Sequence, residues 1–227
     1  MGELTIFQIE SNVTIRTNVR FSGGIVKTGL DKKVLKAATE LFAIDGFASV
    51  GIRAIANKAA TSIGTVYHYF GGKQEILEAV LRKEVEARKD LLHELRGQGL
   101  SFEDQVGQLL LSHFTLLRES PAATKVYFQE RLNAGSPLRS TLRNLHNEVI
   151  AYIERLLTEG IRSGAIVSCN PTIAAYAIVG LIEALSRRAL DADETAELIM
   201  QQGPTEMSRL LASWLRDDKT VKEGNDK

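Results

Sequence analysis

Residues 51–73, which read GIRAIANKAATSIGTVYHYFGGK, constrain the fold more than any other part of the chain. Two short segments with helical periodicity lie on either side of a two-residue turn, and a double glycine ends the second segment. Ser62 is a good N-cap for that segment, because its hydroxyl can accept a hydrogen bond from an otherwise unpaired backbone N–H. These proportions predict a helix-turn-helix over residues 51–70.

The second helix of this motif carries four ring-bearing residues in succession, Tyr67, His68, Tyr69 and Phe70. Val66 and Phe70 are four residues apart, so we expect them to be buried together against the preceding helices. Tyr67 and Tyr69 would then lie to the sides, where a phenol can donate its proton to a DNA phosphate oxygen. His68 lies on or near the exposed face, and its position does not decide between a DNA contact and a packing role.

The first turn of the second helix holds Ile63, Gly64 and Thr65, and this part of a recognition helix meets base edges in the major groove. Gly64 allows close approach, Thr65 offers a hydroxyl and a methyl group, and Ile63 can contact a thymine methyl. Lys73 opens the next helix, where its ammonium group can reach a phosphate. The alternative interpretation is a packing pattern whose tyrosines belong partly to the core.

Helical periodicity continues along the rest of the chain, and no segment has a convincing strand pattern. We therefore predict an all-α protein, with an N-terminal three-helix DNA-binding domain and a larger C-terminal helical domain for ligand binding and dimerisation. The GQG sequence at residues 97–99 marks the expected boundary. The predicted divisions are an extension at 1–27, a DNA-binding domain at 28–88, a ligand-binding and dimerisation domain at 97–217, and a flexible tail at 218–227.

Start and stop residues bound most of the predicted helices. Gly46 should end the first helix and Gly164 a later one, since glycine adopts the left-handed C′ conformation easily. Asn170 followed by Pro171 is an N-cap with a proline at the first helical position. The predicted helices cover residues 31–45, 51–58, 62–70, 73–95, 101–118, a segment through 127–131, 137–163, 171–190, and 204–216 after a helical lead-in from 193.

The charge content requires any nucleic-acid surface to be local, because 28 Lys and Arg residues balance 28 Asp and Glu residues over the whole chain. Residues 31–73 nevertheless hold six basic and three acidic side chains. Four histidines, one cysteine and no glycine-rich phosphate loop give no convincing catalytic or metal-binding set. We therefore expect neither an enzyme nor a cofactor.

The chain has no apolar run of the roughly 20 residues that a membrane span requires. The lone Cys169 can form no internal disulfide, which suits a reducing compartment, and we interpret it as a packing residue. We expect a cytoplasmic protein without membrane association.

Residues 28–88 resemble the TetR family of bacterial transcriptional regulators. The resemblance is carried by ATELFAIDGF, IRAIANKA and SIGTVYHYFGGKQEIL. Two positions depart from the family pattern: Gly51 replaces the usual Ser or Thr cap, and Ala60 replaces the usual turn glycine. If Ala60 keeps a positive φ, the strain should be about 1 kcal/mol.

The resemblance implies specific DNA contacts for residues of the motif. The residues expected at the DNA backbone are Arg53, Ser62, Thr65, Tyr67, Tyr69 and Lys73. Those expected at the bases are Ile63, Gly64 and Thr65. It also implies a homodimer bound to double-stranded operator DNA.

A dimer interface is expected on the two C-terminal helices. The helix from Pro171 is rich in small residues that permit close backbone approach. The candidate interface residues are Ile173, Tyr176, Ala177, Gly180, Leu181, Ala184, Leu211 and Trp214. Two such helices from each subunit would form a four-helix interface, as the family resemblance implies. The alternative is an ordinary intrachain core.

A small-molecule pocket is expected in the middle of the chain, where apolar residues surround a few polar ones. Its candidate residues are Leu110, His113, Phe114, Leu117, Tyr127, Phe128 and Arg131. A plain core with one hydrogen-bonded histidine would give the same pattern. Residues 113–149 and YIERLLTEGIRSGAI are also similar to TetR-family regulators of fatty-acid degradation, which implies a long-chain acyl-CoA effector.

The combined expectation is a repressor that binds a palindromic operator and is released by an apolar or amphipathic effector. The effector must bind the DNA-incompetent arrangement more tightly than the competent one. The helix from Lys73 to Leu95 joins the two domains and is the natural lever. The alternatives from other classes are a helical protein-interaction scaffold and an enzyme with no recognisable catalytic set.

Overall fold

The computed structural model describes residues 29–96, 100, 102–191 and 193–215. Its regular elements in these ranges are all α-helices, as the sequence predicts. They are α1 (Gly29–Ser49), α2 (Ile52–Lys58), α3 (Ile63–Phe70), α4 (Lys73–Arg96), α5 (Phe102–Glu119), α6 (Pro121–Leu132), α7 (Arg139–Ser163), α8 (Pro171–Ala189) and α9 (Glu194–Leu215). The predicted extension, domain-boundary tripeptide and tail lie outside the described residues, as does the predicted helix start at Ser101.

Local sequence signals account for most of the helix ends. The Asn170 side chain accepts a hydrogen bond from the backbone N–H of Ile173 at 3.0 Å, and Pro171 follows in the first turn of α8. Gly164 ends α7 in the left-handed conformation. Gly46 has a φ of 76° and bends the chain near the end of α1, although helical structure resumes as far as Ser49. The apolar residues Val34, Ala37, Ala38 and Phe42 of α1 are buried.

Helix α9 differs from its prediction, because it begins at Glu194 and continues through Pro204 instead of starting there. Proline lacks the N–H that would pair with the carbonyl of Met200 in the preceding turn. The Arg118 guanidinium of α5 donates to that carbonyl through Nη2 at 3.3 Å. A cross-helix donor therefore replaces the missing backbone donor, so the helix tolerates an internal proline.

The buried residues form two hydrophobic clusters. The first, here called the N-terminal core, joins α1, α2, α3 and the first half of α4 to α6 and the start of α7. The second, the C-terminal core, joins the end of α4 to α5, α8, α9 and the rest of α7. Helices α4 and α7 run through both cores, so they connect the helix-turn-helix to the remainder of the protein. No helix among the described residues is long and apolar enough to cross a membrane.

Candidate nucleic-acid interface and effector domain

The first turn of α3 is exposed and held by a side-chain cap. The backbone N–H of Thr65 donates to Ser62 Oγ at 3.0 Å, and the hydroxyls of Ser62 and Thr65 lie 2.7 Å apart. Ile63 is 38 % exposed, and Gly64 is exposed as well. The cap fixes the start of the helix, while the three leading residues expected at the bases keep access to solvent.

The rear of α3 is buried, as the spacing predicts. Val66 is fully buried in the N-terminal core, and Phe70 packs against that core. Tyr67 is 52 % exposed and Tyr69 37 % exposed. The ring of His68, also exposed, meets the ring of Tyr69 edge-on with centroids 5.2 Å apart. The aromatic row is therefore divided between one half-buried ring, Phe70, which packs against the core, and three exposed rings.

The basic residues near the motif differ in the contacts that they make within the protein. Arg53 is exposed at the start of α2. Lys73, expected at a phosphate, donates through Nζ to the carbonyl of Phe47 at 2.9 Å and to that of Ala48 at 3.3 Å. Its ammonium group also lies 4.4 Å from the centroid of the Phe47 ring. Lys73 thus ties the start of α4 to the end of α1, and its phosphate contact stays a prediction.

The turn of the motif is strained at Ala60, whose φ of 52° lies in the left-handed region. Its N–H donates to the Asn57 carbonyl at 3.1 Å, and that of Thr61 donates to the Ala56 carbonyl at 2.9 Å. These bonds close α2 and direct the chain into α3. An L-residue in this conformation carries a strain of about 1–2 kcal/mol, which glycine avoids.

Replacing Ala60 with glycine is therefore expected to stabilise the protein by about 0.5–1 kcal/mol, after allowing for the greater freedom of glycine in the unfolded chain. Urea unfolding measures the change. Ala59→Gly is the matched control, because Ala59 has a φ of −79° and is buried. The control should destabilise the protein, and equal losses in both variants would contradict strain at Ala60.

The apolar candidates for the pocket are divided between the two hydrophobic cores. Leu110, Phe114 and Leu117 belong to the C-terminal core, whereas Tyr127 and Phe128 belong to the N-terminal core. A cavity of about 10 Å³ lies between apolar residues of four helices, α5, α7, α8 and α9. Its lining residues are Val106, Leu109, Leu110, Ile153, Leu156, Leu157, Ile178, Ile182 and Leu211. Ligand pockets usually measure roughly 300–1,000 Å³, so an effector would have to enlarge this space.

A surface groove of about 660 Å³ was not anticipated from the sequence. It lies where the ends of α5 and α8 meet the first turns of α9, and Arg118, Asp191 and Glu197 are among the residues that line it. The groove is formed by Arg118 together with residues between 189 and 201, so no local sequence pattern predicts it.

A group of buried or half-buried polar side chains lies where one core gives way to the other. On α4, Arg88 falls between Val85 of the N-terminal core and Leu92 of the C-terminal core. On α7, His146 falls between Leu145 and Ile150 in the same way. This polar layer consists of Glu84, Arg88, His113, Thr124, Arg131, His146, Glu183 and Ser186.

His113 is held in one tautomer by its contact with Ser186, whose Oγ lies 2.7 Å from His113 Nε2. The Ser186 hydroxyl donates to the carbonyl of Ile182 at 2.7 Å. It must therefore accept from His113, which places the imidazole proton on Nε2. Burial, reinforced by the charge of Arg88, lowers the pKa of His113 to about 3. The imidazole is thus neutral at pH 7, as expected of a hydrogen-bonded core histidine.

Glu183 is shared between two hydrogen-bonding partners on different helices, Arg131 and His146. Arg131 Nη2 donates to Glu183 Oε2 at 2.5 Å, and His146 Nδ1 lies 3.1 Å from Glu183 Oε1. Burial alone would raise the pKa of Glu183, but the hydrogen bond from His146 and the charge of Arg131 lower it below its usual value. The carboxylate is therefore ionised at pH 7 and joins α6, α7 and α8.

One face of α8 and the end of α9 expose large apolar side chains. Ile173 is 70 % exposed, and Tyr176, Leu181 and Trp214 are exposed too. The small residues of the expected interface lie on the same face of α8, since Ala177, Gly180 and Ala184 are all exposed.

Leu211 is the exception among the expected interface residues, because it is buried in the C-terminal core. It therefore packs within its own chain, and its assignment to the interface was wrong. The helical period of α9 explains the error: Leu210 and Leu211 are adjacent and point in directions about 100° apart, so only one of them can face outward.

Two family models match the chain. The model described as "Bacterial regulatory proteins, tetR family" matches residues 34–80, which contain the helix-turn-helix. The model described as "Tetracyclin repressor-like, C-terminal domain" matches residues 99–187.

Individual relatives agree with these matches. The uncharacterized HTH-type transcriptional regulator YhgD of Bacillus subtilis is 26 % identical over 155 residues, which cover 68 % of this chain and 81 % of that protein. The fatty acid metabolism regulator protein of the same organism is 25 % identical over 134 residues, or 59 % and 69 % of the two chains. Among solved structures, AibR in complex with isovaleryl coenzyme A and operator DNA superposes with a TM-score of 0.65 at 14 % identity, covering 82 % of this chain and 97 % of that one.

Proposed function

Because the chain belongs to the tetR family of bacterial regulatory proteins, we propose that it represses transcription as a homodimer on a palindromic operator and that an acyl effector releases it. The observation that carries the DNA part is the division of α3 into a buried rear and an exposed first turn. A helix held in this way can enter a major groove without exposing the core.

The dimer is supported by the exposed apolar face of α8 and α9. Contiguous apolar residues such as Ile173, Tyr176 and Trp214 would be unfavourable in water, and a second copy of the same face would cover them. A two-fold symmetric pair presents two copies of α3, which matches the symmetry of a palindrome. Arg53, Tyr67, Tyr69 and Lys73 are proposed to position each copy on the phosphates.

The acyl effector is supported by the relatives and by the nature of the C-terminal core. One relative is named as a fatty acid metabolism regulator, and a structure of the same fold holds isovaleryl coenzyme A. The small cavity in the C-terminal core is lined by aliphatic side chains only, which suits an acyl chain better than a polar ligand. Effector binding would enlarge this cavity and move the helices that pass through both cores.

The central test is selection of bound DNA from a random pool, followed by release of the selected DNA with acyl-CoA competitors. Two half-sites with inverted symmetry would support the proposal. Retention of no sequence above background would overturn the DNA part.

Gly64→Leu is expected to weaken binding to the selected DNA by about 100-fold, because the added side chain fills the space that a base pair would occupy. The fold should be preserved, since a Cβ at this position lies 3.7 Å from its nearest neighbour, Ser62 Oγ. Electrophoretic mobility shift measures the affinity, and the thermal midpoint checks the fold.

Ala151→Leu is the matched control, because Ala151 is an exposed residue on α7 and lies outside the helix-turn-helix. It should bind the selected DNA as the unmodified protein does. Full DNA affinity in Gly64→Leu would show that the first turn of α3 does not enter the groove.

A further inference from the structure

Arg131 carries a buried donor that has no partner. Its side chain is only 13 % exposed at the end of α6. Nη2 donates to Glu183, but Nε is shielded from solvent and makes no hydrogen bond. Leaving a charged donor unpaired in the interior is unfavourable, because the group loses its hydrogen bonds to water and forms none with the protein.

Arg131 Nε lacks a hydrogen-bond partner because the Glu183 carboxylate also contacts His146. An arginine can bind a carboxylate side-on, with Nε and one Nη donating to the two oxygens. Here the second oxygen of Glu183 is engaged by His146 at 3.1 Å. The carboxylate therefore cannot turn to satisfy both donors of Arg131 without releasing the histidine.

We propose that Arg131 recognises the effector by donating, through its Nε–H, to a carbonyl-type oxygen at the head of an acyl chain. This inference rests on the proposed acyl-responsive function and names the residue that reads the polar end of the ligand. The acceptor is a carboxylate oxygen in a free fatty acid and a carbonyl oxygen in a thioester. Both satisfy the same orphan donor.

The position of Glu183 links this donor to the apolar cavity. Glu183 directly follows Ile182, which lines the cavity together with Leu110 and Ile178. Adjacent side chains on a helix point about 100° apart, so an acyl chain whose head group is held at Arg131 would have to pass along the side of α8 to reach the cavity. Because α6 also packs against α1 through the N-terminal core, occupation at Arg131 acts on a helix that contacts the DNA-binding domain.

The test compares three ligands of equal chain length on the full-length protein: dodecanoate, dodecanoyl-CoA and dodecan-1-ol. The alcohol has no carbonyl oxygen. Isothermal titration should show that Arg131→Lys weakens binding of the ligand with the natural head group by about 10- to 100-fold. Binding of the alcohol, whose hydroxyl is a weaker acceptor, should change by only about 2- to 3-fold. Whichever of the first two ligands responds identifies the source of the oxygen.

Glu183→Gln is expected to increase ligand affinity, whereas Arg131→Lys decreases it. It removes the carboxylate charge that competes for Arg131, so the responding ligand should bind several-fold more tightly. General destabilisation cannot produce this gain. Arg187→Lys is the control, because Arg187 is an exposed arginine on the same helix as Glu183, and it should leave all three affinities unchanged.

The possible outcomes separate this inference from the proposed function. Binding of an acyl ligand with equal strength by the unmodified protein and by Arg131→Lys overturns the role of Arg131 alone. No binding of any of the three ligands overturns both this inference and the acyl effector, while operator binding still reports independently on the DNA function. Operator affinity and the thermal midpoint of each variant verify that it is folded.

Discussion

Arg88→Ala is expected to destabilise the protein by about 3–5 kcal/mol, the range found when one member of a buried ion pair is removed. Arg88 and Glu84 are both buried on α4, where Arg88 Nη1 donates to the Glu84 carboxylate and, at 3.1 Å, to the Glu84 carbonyl. Thr124 of α6 lies within 3.4 Å of the guanidinium and 3.3 Å of the carboxylate. The alanine variant would leave a buried carboxylate with only the threonine hydroxyl as a partner.

The loss should include packing as well as charge. The Arg88 guanidinium lies 4.5 Å from the centroid of the Tyr127 ring, so α4 and α6 are joined at this point by a cation–π contact. Since Arg88 lies between the two cores, its removal should loosen the connection that α4 makes between the helix-turn-helix and the rest of the protein.

Urea unfolding at pH 7 measures this effect, and the neighbouring Lys89→Ala is the matched control. Lys89 pairs with Glu148 at 3.4 Å, but the two side chains are 48 % and 45 % exposed, so its loss should be at most about 1 kcal/mol. The double variant Glu84→Met/Arg88→Met should recover most of the stability lost in Arg88→Ala, because it leaves no charge unpaired. Equal losses in Arg88→Ala and Lys89→Ala would show that the buried pair is not stabilising.

The helix-turn-helix could be predicted from sequence because its determinants are local. The Ser62 cap, the burial of Val66 and the exposure of Tyr67 all depend on residues within one or two helical turns. Ala60 is also a local feature: the sequence shows it as a departure from the usual turn glycine, and its φ in the structure is 52°. Spacing along a helix decides such features before any tertiary contact is known.

The polar layer could not be predicted, because its partners are distant in sequence. Thr124 lies 36 residues from Arg88, Glu183 52 residues from Arg131, and Ser186 73 residues from His113. Each of these residues looks like an ordinary polar position on an amphipathic helix. Only the packing of five helices brings them together, and no periodicity contains that information.

The predicted start of α9 was wrong because of a contact that is distant in sequence. Pro204 resembled a helix start because its missing N–H is harmless there, whereas Arg118, 82 residues away from Met200, satisfies the carbonyl that an internal proline leaves free. Lys73 makes a second contact that the sequence does not predict, because the bend at Gly46 brings the carbonyls of Phe47 and Ala48 within its reach. Its phosphate contact stays a prediction. Both contacts join residues that are far apart in the chain, so no local pattern contains them.

Gly180→Leu is expected to dissociate the proposed dimer and to reduce operator affinity by at least about 100-fold, because linked binding of two half-sites depends on joining the two α3 helices. Gly180 is exposed in the middle of α8, and a Cβ built on it meets no atom of its own chain within 4 Å. The substitution should therefore leave the monomer folded, and replacing glycine within a helix should favour it. In a dimer with closely approaching α8 helices, the same side chain would enter the space of the partner.

Sedimentation velocity and operator binding together test this expectation. Gly107→Leu is the matched control, since Gly107 is also helical, on α5, and a Cβ there likewise meets nothing within 4 Å. The control should remain dimeric and bind DNA normally, whereas Gly180→Leu should sediment as a folded monomer. If Gly180→Leu stays dimeric with full operator affinity, close approach does not occur at Gly180, and the apolar face of α8 must be covered in another way. A small residue at this position matters only if a second backbone lies against it, so the two variants distinguish an interface from an ordinary exposed helix.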